Sequence, residues 1–338
     1  MLTCHPRSAK QRSARWRQWK SVELWNTANC GYRIRMTLID GKTVAARVND
    51  QTADIVAQLA DDHGVQPGLA VVLVGDDPAS CVYVNRKART SERVGLYSEK
   101  HLLPAATTQD EVIDLMRTLN ASDKVHGILL QSPPPPHIDE REIIEIISPA
   151  KDVDCFHPEN VGRLLIGDED CFYPCTPHGI LVLLNHYQID PHGKHVVVVG
   201  RSNLVGKPIA VLLARKAAGA NATVTLCHSG TDDLAACCQT ADILVVAMGR
   251  PQYVTADMVK PGAVVIDVGI NQIDDPLAKN GCRLVGDVDF AGIGDKASYL
   301  TPVPGGVGPM TVAMLMRNAV RACCSQLNID IDTSAYLN

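Results

Sequence analysis

The chain has 338 residues, 46% hydrophobic and 20% charged, with a formal net charge of −5. That is the composition of a globular protein long enough for two domains. It gives no electrostatic reason to expect a nucleic-acid partner, and no apolar run approaches the length of a membrane span. The 12 cysteines include no C-x-x-C pair, so free buried thiols in a reducing cytoplasm are expected, rather than a disulfide framework or a metal site.

Residues 1–35 stand apart. They hold eight Lys or Arg, a single acid (Glu23) and all three tryptophans. They lack the apolar core of a secretory signal. The Arg-rich, acid-poor character is shared with organelle transit peptides, but Trp16-x-x-Trp19 makes a poor amphipathic pattern. The leader is therefore read as disordered or spurious ahead of Met36, with organelle targeting as the alternative to a cytoplasmic location.

From Met36 the chain alternates helices and strands. The apolar spacing of Val48, Ile55, Val56 and Leu59 predicts a helix over 44–62, ended by Gly64 and Pro67-Gly68. Leu69–Val74 is a continuous apolar run and so a buried strand. A second helix spans 80–94, and in it Tyr83 and Lys87, four apart, share one face. Thr108–Glu111 is a capping box opening a helix to about Asn120. Val125–Leu130 is another buried strand, delivering Gln131 at its end. Ser132 and four prolines follow, either a rigid cleft wall or a stiff connector. A short helix over 139–147 leads to the loop Lys151-Asp152-Val153-Asp154. Thr176-Pro177 reads as an N-cap and first-turn proline for a helix to about Gln188.

Four valines ending at Gly200 precede a polar turn, Arg201 to Gly206, and a helix carrying Pro208, Ile209, Leu212 and Leu213. A helix N-terminus facing a strand end favours an anion such as a nucleotide phosphate. The G-x5-G spacing departs from the dinucleotide fingerprint, so this turn alone is weak support. Further strands at 222–227, 243–247 and 264–268, separated by helical runs, imply a doubly wound parallel sheet. Their ends place Gly200-Arg201-Ser202, His228-Ser229, Met248-Gly249 and Gly269-Ile270-Asn271 on the edge where dinucleotides bind. The second strand ends Cys227-His228-Ser229, without the acid that holds an NAD ribose. Arg201 and Ser229 suit a 2′-phosphate instead, so NADP is the expected cofactor. Residues 299–311, YLTPVPGGVGPMT, form a turn leading into a last helix.

These residues resemble the bifunctional methylenetetrahydrofolate dehydrogenase/methenyltetrahydrofolate cyclohydrolase family. The matching motifs are Tyr83-x3-Lys87, Gly127 to Gln131, Lys151 to Asp154, Pro174-Cys175-Thr176-Pro177, Gly200-Arg201-Ser202, Val268 to Asn271, Gly286-Asp287-Val288 and Pro304 to Thr311, in family order from about Met36 to Ala322. The resemblance implies two α/β domains across a cleft, commonly in a homodimer. A folate-binding catalytic domain covers 36–173 and is joined by the C-terminal helix 309–323. A Rossmann-type NADP domain covers 174–308, and 324–338 is a tail.

The implied reaction oxidises methylenetetrahydrofolate with NADP+, then hydrolyses the methenyl product to 10-formyltetrahydrofolate. The alternatives are a dehydrogenase with an impaired hydrolytic step and a catalytically silent NADP- or folate-binding protein. By this resemblance Lys87 is the catalytic lysine, its proton affinity lowered by enclosure. Gln131 orients it, Tyr83 faces the aminobenzoate ring, and Asp154 holds the donor edge of the pterin. Asp152 is read as structural. Gly308 and Pro309 border the folate, and Gly200, Arg201, Ser202, Ser229, Ile270 and Thr176 surround the cofactor. Two positions depart from the family pattern. Cys155 replaces the usual glycine after Asp154, at a cost of roughly 1–2 kcal/mol if that residue needs φ > 0. Ser132-Pro133-Pro134-Pro135-Pro136 replaces the usual L-P-L-P wall.

Overall fold

A computed structural model describes residues 36–168, 170–278 and 281–330. The leader over 1–35 and residues 331–338 of the predicted tail lie outside it. The described residues belong to one compact unit in which two parallel sheets form two lobes.

Strand β1 (Thr37–Leu38) leads into helix α1 (Gly41–His63). The helix begins a turn earlier than the apolar spacing predicts because Asp40 caps it. The Asp40 Oδ1 atom accepts from the backbone N–H of Lys42 at 3.0 Å and of Thr43 at 3.2 Å. Next come β2 (Gly68–Val74), α2 (Pro78–Val94), β3 (Tyr97–Leu103) and α3 (Gln109–Ala121). The capping box at Thr108 and Glu111 is formed. Then follow β4 (Gly127–Leu130), α4 (Glu140–Ile146) and α5 (Pro158–Ile166).

The first sheet has the order β3-β2-β4, all parallel. Every residue of β2 is buried. Leu69, Val71 and Leu73 enter one core, while Ala70, Val72 and Val74 enter another on the opposite face. That is why this strand reads as an unbroken apolar run. Strand β3 escapes a sequence reading. Its residues, YSEKHLL, pair on one side only, as the sheet edge. Burial there is too partial to force apolar residues into the pattern. The short helix α5, opened by Pro158, is likewise unforeseen.

The second lobe starts with α6 (Cys175–His186), β5 (His195–Val199), α7 (Gly206–Ala214) and β6 (Thr223–Cys227). It continues with α8 (Leu234–Gln239), β7 (Ile243–Val246) and β8 (Val264–Asp267). The strands β9 (Asn271–Asp274) and β10 (Cys282–Val285) pair antiparallel as a separate ribbon. Then come α9 (Phe290–Ile293), β11 (Tyr299–Leu300) and α10 (Val307–Leu327).

The second sheet is six-stranded and parallel, in the order β1-β11-β8-β7-β5-β6. Its order reverses direction between β5 and β7, the switch point at which doubly wound sheets open a crevice. Two expected boundaries shift. Thr37 and Leu38 pair with Tyr299 and Leu300, so the first strand after Met36 belongs to the second sheet and not to the first domain. The last helix runs from Val307 to Leu327 rather than 309–323, because its apolar face continues through Cys323 and Cys324, both buried.

Helix α10 ties the lobes together. Fifteen of its residues are buried, and it packs against α1, α2 and α6. One continuous core runs from Leu69, Val71 and Leu73 of the first sheet through Met310, Met314 and Val320 to Val196 and Val198 of the second.

Candidate active site

Lys87 lies in α2, one turn after Tyr83, and is only 8% exposed. Its Nζ donates to Gln131 Oε1 at 3.0 Å. Gln131 leaves the end of β4, with its backbone N–H on Val72 O. Its side-chain Nε2 donates to Ser132 O at 2.8 Å, so the amide oxygen is turned toward the lysine. Burial lowers the Lys87 pKa below the ordinary lysine value, and the neighbouring Asp154 opposes that shift. The sequence-predicted Lys87, Gln131 and Asp154 are thus brought together. Tyr83 is half-buried, and desolvation raises its phenol.

The loop carrying Asp154 is held from three sides. Asp152 is buried and accepts from Phe156 N at 3.1 Å, His157 N at 2.8 Å and Asn160 Nδ2 at 2.9 Å. These side-chain bonds tie Asp152 to its own loop and to the start of α5, whereas Asp154 faces Lys87 and Cys175. Asn318 of α10 donates to Val153 O at 2.7 Å and to Tyr173 O at 3.0 Å. Cys155 does take a positive φ, 61°, the conformation that favours glycine. Its buried thiol donates to Phe172 O at 3.1 Å and so ties the loop to the segment entering α6.

On the second lobe the turn after β5 depends on two glycines. A Cβ on Gly200 would fall 2.0 Å from Ala247 O, and one on Gly206 would fall 2.0 Å from Gly200 O. The G-x5-G spacing therefore serves close backbone packing between β5, β7 and α7. The expectation that the α7 N-terminus favours an anion needs unpaired N–H groups, and those of its first turn are already paired. Ser202 Oγ accepts from Val205 N and Gly206 N, Lys207 N reaches Ser202 O, and Pro208 has no N–H. The hydroxyl of Ser202 is turned back onto the helix. Arg201 is exposed at this edge and has no ion-pair partner among the described residues. Ser229 is exposed just past β6, whose last residue, Cys227, is paired with Val199.

The two edges approach one another around α10. Ile270 is 45% exposed, and its Cδ1 lies 3.5 Å from where a Cβ of Gly308 would stand. Pro309 is buried in the first turn of α10. Thr176 is not the N-cap of α6. Pro174 holds that position, and Thr176 sits inside the first turn with its hydroxyl 2.9 Å from that of Thr311. Its hydroxyl is engaged with Thr311 and not with the backbone N–H groups of α6.

Sequence reading missed Cys175 as a member of the Lys87 cluster. Burial pushes this thiol well above its usual range, with Asp154 adding in the same direction, so it is a protonated donor and not a nucleophile. Its presence inside Pro174-Cys175-Thr176-Pro177 was the available signal. Asn318 was missed too. An amide among fourteen other buried residues of α10 was the signal there, since a buried polar group must find partners.

Two family models match this chain. Residues 39–154 match the tetrahydrofolate dehydrogenase/cyclohydrolase catalytic domain, and residues 174–327 match the NAD(P)-binding domain of the same family. The bifunctional protein FolD of Moorella thermoacetica is 56% identical over 285 residues, covering 84% of this chain and 98% of its own. That of Chlorobium chlorochromatii is 54% identical over 288 residues, covering 85% and 98%. Among solved structures, the bifunctional FolD methylenetetrahydrofolate dehydrogenase/cyclohydrolase of Campylobacter jejuni aligns with TM-score 0.81 at 46% identity, covering 86% of this chain and 99% of that one. The Trypanosoma brucei methylenetetrahydrofolate dehydrogenase-cyclohydrolase, solved with NADP cofactor and inhibitor, aligns with TM-score 0.82 at 38% identity, covering 86% and 98%. With both domain models matched in order and relatives this close along nearly their whole length, the chain belongs to the tetrahydrofolate dehydrogenase/cyclohydrolase family.

Proposed function

We propose that this protein oxidises 5,10-methylenetetrahydrofolate with NADP+ and hydrolyses the resulting methenyl cation to 10-formyltetrahydrofolate. The observation that carries the reading is the buried Lys87 amine, held 3.0 Å from Gln131 with Asp154 beside it. NADP+, when bound, accepts the hydride from the methylene carbon. The donor set of the second lobe fits that cofactor. An exposed guanidinium at Arg201 and a hydroxyl at Ser229 stand at neighbouring strand ends, and β6 ends without a carboxylate that would repel a 2′-phosphate. Gly200, Ser202, Ile270 and Thr176 complete the proposed cofactor surround.

In the hydrolytic step water adds to the methenyl carbon. Lys87, neutral more readily than an exposed lysine, accepts a proton from that water. One proton passes to the ring nitrogen as its bond to this carbon opens, and the other leaves to solvent. Gln131 keeps the amine aimed, which is a positioning contribution. Asp154 takes the donor edge of the pterin, Tyr83 faces the aminobenzoate ring, and Gly308 and Pro309 border the folate. We further propose a homodimer in the cytoplasm. The ten described cysteines are all free, as a reducing compartment allows, and no helix among the described residues is long and apolar enough to cross a membrane.

The test is turnover of methylenetetrahydrofolate with NADP+ and, separately, with NAD+, following reduced nicotinamide and the methenyl absorbance. The expected result is NADPH formation with little methenyl build-up. Accumulation of the methenyl species would assign the chain the dehydrogenase step alone, and no NADPH would refute the reading. Light scattering of the purified protein checks the dimer.

A further inference from the structure

Two carboxylates in the second lobe belong to neither the proton-transfer cluster nor the proposed cofactor contacts. Asp287, two residues after β10, is fully buried. Its Oδ2 accepts from Met248 N at 2.7 Å and Gly249 N at 3.0 Å. Its Oδ1 accepts from Arg250 N and from Asn271 Nδ2, both at 2.8 Å. Three successive backbone N–H groups thus close around one carboxylate, a backbone nest filled by the protein's own anion. Asp267, the last residue of β8, is 2% exposed. Its Oδ1 accepts from Gly269 N at 3.0 Å and from the backbone N–H of Asp287 at 2.9 Å, and its Oδ2 accepts from Val288 N at 3.1 Å. Neither carboxylate forms an ion pair among the described residues. Their lone pairs are met by N–H groups instead.

This arrangement explains the two glycines beside the acids. A Cβ on Gly269 would lie 2.3 Å from the Asp287 carboxyl carbon, and one on Gly286 would lie 1.7 Å from Asp267 Oδ2. Both carboxylates press against bare backbone, so Gly269-Ile270-Asn271 and Gly286-Asp287-Val288 are two halves of one device. Three segments are locked by it: the loop over 248–250 after β7, the segment 269–271 after β8, and 286–288. The first leaves β7 immediately beside the Gly200 turn, where Ala247 O fills the space over Gly200. The second carries Ile270, which faces Gly308. The first therefore sits at the switch-point crevice between β5 and β7, and Asp287 ties the second to it through Asn271.

We propose that Asp287, itself held by Asp267, is a positioning residue for the nicotinamide cofactor. It fixes the 248–250 loop and the Ile270–Asn271 segment as the floor of the cofactor crevice, and takes no part in the hydrolytic step. The inference rests on the NADP reading of this edge. Its test exploits the fact that hydrolysis of the methenyl substrate consumes no nicotinamide. Asp287→Asn keeps the volume but turns an NH2 group against N–H donors. Calorimetric NADP+ binding and cofactor-free hydrolysis of methenyltetrahydrofolate are measured on the full chain.

The expected result is a weakening of NADP+ by about tenfold or more, the size of one lost charge-assisted hydrogen bond. Hydrolysis stays within about twofold of the parent, and Asp287→Glu does not restore affinity because the longer side chain overfills the nest. Unchanged NADP+ affinity, or a parallel fall of both activities in a protein that still folds, would overturn the proposal. If Asp287→Asn does not fold, Asn271→Ala, which removes one side-chain donor only, is read in the same way. An increase in the NADP+ dissociation constant of about threefold with hydrolysis intact supports the proposal, and no increase overturns it. A parent protein that binds no NADP+ at all would refute the reading of the edge itself, a different outcome from either.

Discussion

The two walls of the site solve opposite problems. On the first lobe Lys87 is buried, its amine is held by Gln131, and the loop bearing Asp154 is pinned by Asp152, Cys155 and Asn318. On the second lobe Arg201, Ser202, Ser229 and Ile270 are exposed. Proton transfer needs an amine desolvated enough to give up its charge near neutral pH, and desolvation demands enclosure. Recognition of a phosphate needs a charge that stays ionised and can be reached from solvent, so the guanidinium lies open. Buried hydrogen bonding on the second lobe is concentrated in Asp267 and Asp287, which hold the segments over 248–250 and 269–271.

The largest effect expected from breaking this contrast is at Lys87. Lys87→Met should lower hydrolysis of methenyltetrahydrofolate by at least about 100-fold, the usual scale of a lost general base, with NADP+ affinity near that of the parent. Single-turnover hydrolysis and calorimetric binding check the two halves. The same substitution should raise the melting temperature. Burial lowers the Lys87 pKa from its ordinary 10.5, so the folded state favours the neutral amine. That contribution to stability is present above the ordinary lysine range and is lost as pH falls through the lowered value. Methionine carries no charge to desolvate.

On the exposed wall, Arg201→Ala should weaken NADP+ by about 10- to 100-fold, the scale of one or two hydrogen bonds to a charged group, and leave NAD+ nearly unchanged. Equal losses for both cofactors would assign Arg201 to folding rather than to selection. A smaller effect, on the position of the hydrolysis pH profile, is expected from Asp154→Asn. The Asp154 carboxylate raises Lys87, so its removal should move the ascending limb of the hydrolysis pH profile to lower pH, whatever happens to its height. A limb that stays in place would separate the two groups.

The smallest expected effect concerns the tether behind Asp154. Cys155→Ala keeps a Cβ at φ 61° and loses the thiol bond to Phe172 O, whereas Cys155→Gly loses the bond but removes the strain. Glycine should therefore be the more stable of the two variants by about 1 kcal/mol in urea denaturation.

Much of this was legible in the chain. Strand β2 and the four valines of β5 announce themselves because both faces of each are buried, so every position must be apolar. The capping box at Thr108 is a local event and is read locally. Lys87 and Gln131, 44 residues apart, could be paired only through family motifs, since no periodicity links a helix position to a strand end. Strand β3 was illegible because an edge strand with one partner tolerates Glu, Lys and His. The capping role given to Thr176 failed by two residues because Pro174 holds the cap and the helix has begun at Cys175.

The sequence by itself determined the alternation of helices and strands, the glycine turn after β5 and the chemical kinds of group available at each strand end. These follow from local propensity and from the burial of whole strands, which leave marks at fixed spacing. Only the tertiary structure decided which of those groups meet. Packing of α10 across both lobes sets Lys87 beside Asp154 and Cys175, and Ile270 against Gly308. The return of the β9–β10 ribbon to the end of β8 sets two bare glycines against two buried carboxylates. Such contacts depend on long-range packing and on the absence of side chains at particular points, and spacing along the chain records neither.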